Sequence, residues 1–125
     1  MPLGRPISFL ATNNPQKTKA FYCDIVNLIH LKDTHGALVF RDGDSLLHVQ
    51  IVADFAATKH TVHGWQTDNL ARDMGNLSAK GVTFLKVDGL DQDPDGVWIS
   101  PERTQVAWFH DPSGNVLSLA QLPTF

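Results

Sequence analysis

The sequence predicts an α+β fold made of two similar β-α-β-β-β units. Three observations predict it. Asn14 and Asn69, both suited to cap a helix, lie 55 positions apart. Each follows a strand-like run and precedes an apolar period of helical spacing. Two later segments, Phe40–Gln50 and Trp108–Ser118, each span ten positions across an acidic turn that contains glycine. A repeat of this kind governs the fold and has to be read before any single element. The two copies run over about residues 5–55 and 60–123 of one domain covering 1–125. A sheet with one helix leaves its other face uncovered. Two such units are therefore expected to form curved sheets around a cleft, where ligand sites commonly sit.

Ile7–Thr12 reads as the first strand and stops at Asn13-Asn14-Pro15. The asparagine side chain accepts an orphan backbone N–H, and proline suits the first helical position because its missing donor costs nothing there. Phe21, Ile25 and Leu28 then fall at i, i+4 and i+7, predicting a helix through Leu28. Ala37–Phe40, a turn at Asp42-Gly43-Asp44 and Leu46–Val52 form a hairpin pattern. In the second copy, Thr61–Thr67 reads as a strand, Leu70, Met74 and Leu77 as a helix, and Gly81 as its stop. Val82–Val87 and Val97–Ile99 read as strands, and Gln105–Phe109 turns at Asp111–Gly114 into Val116–Leu122.

Composition narrows the function. No stretch approaches the roughly 20 apolar residues a bilayer span requires. The start, Met1–Pro6, lacks the apolar core of a secretion signal. Ten basic against thirteen acidic residues, a net charge of −3, leave no basic footprint for nucleic acid. The single Cys23 makes no internal disulfide and no cysteine-rich zinc site. The expectation is a soluble cytoplasmic domain with neither a nucleic-acid nor a membrane partner. Nucleophile elbow, phosphate-binding glycine loop and paired catalytic carboxylates are all missing from the sequence.

Two segments carry a family likeness. Phe9–Tyr22 resembles the strand, cap and A-F-Y helix of the vicinal oxygen chelate superfamily, and Phe109-His110-Asp111-Pro112-Ser113-Gly114-Asn115 resembles its F-x-D-P-x-G-N hairpin. That superfamily includes glyoxalase I, extradiol dioxygenases, fosfomycin-resistance enzymes and bleomycin-resistance proteins. The likeness extends over nearly the whole chain and is nearest to small glyoxalase/bleomycin-resistance members. Metal-dependent members hold a divalent ion with His and Glu from the first strand of each unit and from the strand after each hairpin turn. Counting from the caps and the turns, the resemblance puts those positions at Ile7, Val62, Gln50 and Ser118. Two hydrocarbons, an amide and a hydroxyl make a poor ligand set, so no metal and no other cofactor is expected. His63 neighbours Val62 but would face the other side of the strand, and no glycine signals a bulge that would turn it.

Alternation then assigns the candidates for a ligand-binding cleft. Gln50 facing in brings His48 with it, and Ser118 facing in brings Val116 and Ala120. Phe40 and Trp108 are equivalent in the ten-position register, and in the fosfomycin-resistance branch the position matching Trp108 looks toward the ligand. Gln66 shares the phase of Val62, and Trp98 sits at an edge. The candidate set is Phe40, His48, Gln50, Gln66, Trp98, Trp108 and Ser118. For the aromatic members the alternative is simple core filling. His30, His35 and His60 are expected in surface connections, and His110 beside its turn. The favoured function is sequestration of an apolar or aromatic small molecule, with the homodimeric state that the bleomycin-resistance resemblance implies. The alternative is a glyoxalase-type lyase or extradiol-type dioxygenase with a rearranged site using His48 and Gln50.

Overall fold

The computed structural model describes residues 3–124 as two compact units. Unit 1 runs to Ala57 and takes in the Asp111–Asn115 turn; unit 2 holds Thr58–His110 and the chain from Val116 onward. Unit 1 contains β1 (Ile7–Thr12), α1 (Pro15–Ala20), a π-helical turn over Phe21–Ile25, β2 (Ile29–Thr34), β3 (Ala37–Asp42) and β4 (Ser45–Ile51). Its open sheet has the order β1-β4-β3-β2, with β1 parallel to β4 and the other pairs antiparallel. Unit 2 contains β5 (Thr61–Gln66), α2 (Leu70–Ala79), β6 (Trp98–Ile99), β7 (Gln105–His110) and β8 (Val116–Gln121), in the same order, β5-β8-β7-β6.

The helix starts form as their chemistry dictates. Asn14 Oδ1 accepts from Lys17 N at 3.2 Å, and Asn69 Oδ1 accepts from Arg72 N at 3.0 Å. Gly81 ends α2 with φ of +97°, a conformation glycine adopts without steric cost. One face of each sheet is buried. In unit 1 it carries Leu10, Leu38, Phe40, Leu47 and Val49 with the fully buried Tyr22; in unit 2 it carries Ala107, Phe109, Leu117 and Leu119, with Leu70 and Met74 from α2.

Four local expectations are corrected. The first helix does not continue to Leu28: Val26 N bonds back to Phe21 O across a π-turn, and Asn27 at φ 66° stops the chain. Ile29–Thr34 is an edge strand, so His30 lies on β2 and not in a connection. Val82–Val87 builds no strand. There the Gln92 side chain takes the ladder's place, accepting from Val87 N and donating to Leu85 O, while Leu85 N bonds Trp108 O at 2.8 Å. Finally, the register of β5 on β8 does shift between Thr61 and His63 without any glycine. Bulges whose extra residue sits near the right-handed helical region need none.

Candidate functional site

The hairpins settle which side chains share a face. β3 turns into β4 through two residues, Gly43 and Asp44, whereas β7 turns into β8 through five, Asp111–Asn115. The ten-position equivalence therefore slips by one residue. Phe40 opposes Leu47 as Phe109 opposes Leu117, and Val39 opposes His48 as Trp108 opposes Ser118. Phe40 is thus the counterpart of Phe109. Both rings are fully buried on the helix side, and Phe40 packs 5.7 Å from Tyr22. Its candidacy as a ligand contact is withdrawn. The run Ala37–Phe40 is apolar at every position and buried throughout, so it carried no alternation from which to read the phase.

In unit 1 the face away from the helix carries Ile7, Phe9 and Ala11 on β1 against Leu46, His48 and Gln50 on β4. Phe9 is 57% exposed and Ile7 46%, two apolar side chains in adjacent rows that this face leaves open. The His48 ring meets the Phe9 ring edge-on at 5.4 Å. Phe9 and Ile7 were not among the sequence candidates, although alternation from His48 across to β1 would have found them. Gln50 is exposed on the same face, opposite Ala11. It lies four residues from the partner of Ile7, or about 13 Å along the strand at 3.3 Å per residue. Ile7 and Gln50 therefore do not converge on one point.

In unit 2 the corresponding face carries Gly64 and Gln66 on β5, Ser118 and Ala120 on β8, Val106 and Trp108 on β7, and Trp98 on the edge strand β6. Trp98 and Trp108 are half-buried, with ring centroids 6.1 Å apart and planes tilted by 32°. Trp108 opposes Ser118, which in turn opposes Gly64. A Cβ on Gly64 would fall 2.3 Å from Ser118 Oγ and 2.8 Å from Ser118 O. This glycine is thus what admits the Ser118 hydroxyl. Gln66 is exposed at the end of its strand. His63 stays on the helix side with Trp65, 4.9 Å ring to ring, and Trp65 stacks 6.3 Å from Phe109. The bulge leaves Val62 as the extra, unpaired residue and does not turn His63 over.

These rows do not fit a catalytic metal. Unit 1 offers one imidazole, His48, beside an amide, hydrocarbons and the cations Arg41 and Lys32; unit 2 offers a hydroxyl and an amide beside indoles, with the His110 imidazole at the end of β7. Neither row contains the carboxylate that would offset stripping water from a divalent ion. Among the described residues no three His, Cys, Asp or Glu side chains come together as a metal site.

The F-x-D-P-x-G-N segment is structural. Asp111 is buried, and its Oδ1 accepts from Ser113 N and Asn115 N. Its Oδ2 accepts from Tyr22 OH and Asn115 Nδ2, both at 2.8 Å. Asn115 Nδ2 also donates to Ala11 O, tying the turn to β1. Burial first, and then the Asp111 charge, push the Tyr22 phenol far above its ordinary range. The Cys23 thiol is raised by burial and then by Asp24, which leaves it in the unreactive thiol form. His30 and Lys19 both contact the Asp33 carboxylate at 2.7 Å, a surface cluster on unit 1.

No protein-family model matches the chain, and no curated protein matches it. Solved structures do. A bleomycin resistance determinant encoded on transposon Tn5 superposes with a TM-score of 0.75 at 17% identity, covering 98% of this chain and all of its own (100%). The fold is the glyoxalase/bleomycin resistance fold. Lactoylglutathione lyase from Agrobacterium tumefaciens shares it at TM-score 0.73 and 15% identity, over 96% of this chain and 94% of that one. So does TnmS3, an antibiotic binding protein from Streptomyces sp. CB03234, at TM-score 0.70 and 24% identity, over 98% and 99%. At these identities the vicinal oxygen chelate likeness establishes architecture, and that architecture hosts both binding proteins and enzymes. No helix among the described residues is long and apolar enough to cross a membrane.

Proposed function

We propose that this chain binds an apolar or aromatic small molecule without a metal, as a sequestering protein. The observation that carries the proposal is the Trp98–Trp108 pair on a sheet face whose polar groups beside the indoles are the neutral Ser118 and Gln66, with the exposed His110 at the strand end. Indoles give large apolar contact area with little entropy to lose, and a few neutral donors and acceptors orient a ligand without demanding charge on it. Phe9 and His48 provide a second aromatic surface on unit 1, there bordered by the cations Arg41 and Lys32. The bleomycin resistance determinant and the antibiotic binding protein among the structural neighbours support the reading in so far as this architecture serves binding proteins; with a lyase among those neighbours, it serves enzymes too. A catalytic site built on His48 and Gln50 would have an imidazole and an amide but no carboxylate. In this reading the chain works as a cytoplasmic homodimer, which sedimentation of the purified protein tests.

The deciding experiment is a tryptophan-fluorescence titration against bleomycin and a panel of planar aromatic antibiotics. A saturable change is expected for at least one compound, weakened about tenfold by Trp108→Phe, equivalent to about 1.4 kcal/mol. An unaltered affinity in that variant removes Trp108 from the site. No response across the panel, together with turnover of a glyoxalase-type substrate, overturns the binding reading.

A further inference from the structure

A second concavity lies on the opposite side of the unit 2 sheet, between α2 and the β6–β7 edge. It encloses about 380 Å³, within the range of pockets that hold small organic ligands. Leu70, Ala71, Met74, Phe84, Val97 and Ile99 make its apolar lining. Two carboxylates, Asp93 and Asp95, also line it, and no Lys, Arg or His does. The neutral polar lining consists of Ser78 and Gln105.

The acidic turn is held in place. Asp93 Oδ1 accepts from Asp95 N at 2.9 Å and Val97 N at 2.8 Å, and Asp93 N bonds Val97 O at 2.9 Å. Gln92 Nε2 grips the carbonyl of Gly96, a buried residue with φ of +100°. The nearby Lys86 ammonium is engaged by the Asp93 carbonyl and is not part of the lining. The held Asp93 carboxylate and the exposed Asp95, against the single Lys86 ammonium close by, leave net negative charge beside an apolar surface, which disfavours anions and favours a cation with a hydrocarbon body. Gly75 opens the helix side of the concavity, and a Cβ there would meet nothing within 4 Å.

We infer that this groove binds hydrophobic amines, an aromatic or aliphatic body against Met74 and Phe84 with its ammonium toward Asp93 and Asp95. The site is separate from the Trp98–Trp108 face, because Ile99 and Trp98 are adjacent strand residues pointing to opposite sides. Its success or failure is therefore independent of the proposed function.

The test uses the full chain, ¹⁵N-labelled, titrated with 4-phenylbutylammonium and, in parallel, with 4-phenylbutyrate, which has the same tail and opposite charge. The ammonium should shift the amides of residues 70–78 and Gln105 saturably, binding at least tenfold more tightly than the carboxylate. Asp95→Asn should weaken the ammonium about threefold or more, Gly75→Leu should abolish its binding by filling the groove, and Trp108→Phe should leave it unchanged. Equal binding of the two probes overturns the inference. So do shifts confined to the Trp108 face, or groove shifts that appear on raising protein concentration without probe, which would mean that a second copy fills the groove.

Discussion

Gly64→Ala is a sharp test of the unit 2 site geometry. The added methyl would stand 2.3 Å from Ser118 Oγ and 2.8 Å from Ser118 O. Rotation of the serine relieves the first contact. The second is to backbone, so β5 and β8 must separate locally. Overpacking of this kind costs about 1–3 kcal/mol. Gly64 lies outside the left-handed region, so alanine also gains about 0.4–1 kcal/mol by restricting the unfolded chain. The net expectation is a loss of about 1–2 kcal/mol, lowering the melting temperature by roughly 3–10 °C for a domain of this size. Urea unfolding followed by circular dichroism gives the difference directly, with Gly75→Ala as control. Gly75 meets open space in the interior of α2, so that variant should gain about 0.5–1 kcal/mol. Adding Ser118→Ala to Gly64→Ala should recover only part of the loss, since the carbonyl remains. A Gly64→Ala protein as stable as the parent, with Gly75→Ala behaving as expected, would refute the close approach and the Ser118 placement built on it.

Tyr22 is the chain's only tyrosine, so its phenol can be followed by absorbance at 295 nm. Its folded pKa lies above the ordinary value near 10, so this group's contribution to stability is complete below about pH 10 and lost as pH rises further. Ionisation should coincide with alkaline unfolding; a phenol titrating near pH 10 in the intact fold contradicts the Asp111 bond. Tyr22→Phe should cost about 1–2 kcal/mol, since Asn115 still serves Asp111 Oδ2. At the acid end, the hydrogen bond from Arg72, and then that from Thr67, hold Asp73 below the usual carboxylate range. A lowered folded pKa contributes stability above about pH 4 that is lost as pH falls. Asp73→Asn should flatten that decline in a pH series of unfolding curves, and an unchanged acid slope would exclude Asp73 as a contributor.

What was legible in the sequence is what local chemistry decides. The caps at Asn14 and Asn69, the stop at Gly81 and the strand Ile7–Thr12 depend on neighbours a few residues away. What was not legible depends on distant partners or on turn length. Nothing near Val87 announces that the Gln92 amide will replace a strand ladder. The bond from Tyr22 to Asp111 joins residues 89 positions apart, so a motif readable as a hairpin gave no sign of its buried network. Both hairpins span ten positions in sequence, yet a two-residue turn and a five-residue turn differ in phase. That difference moved Phe40 into the core and left Trp108, Ser118 and Gln66 together on one face. His48 and Gln50 share a face because a period of two within one strand survives such a slip.

The most direct measurement is the metal content of the chain purified without chelator and then dialysed against zinc, nickel, manganese and ferrous iron in turn. With a single imidazole in each row, His48 and His110, and no carboxylate in either, each ion should wash out to far less than one per chain. One equivalent of any of them, retained by the parent and released by His48→Ala, would contradict the account.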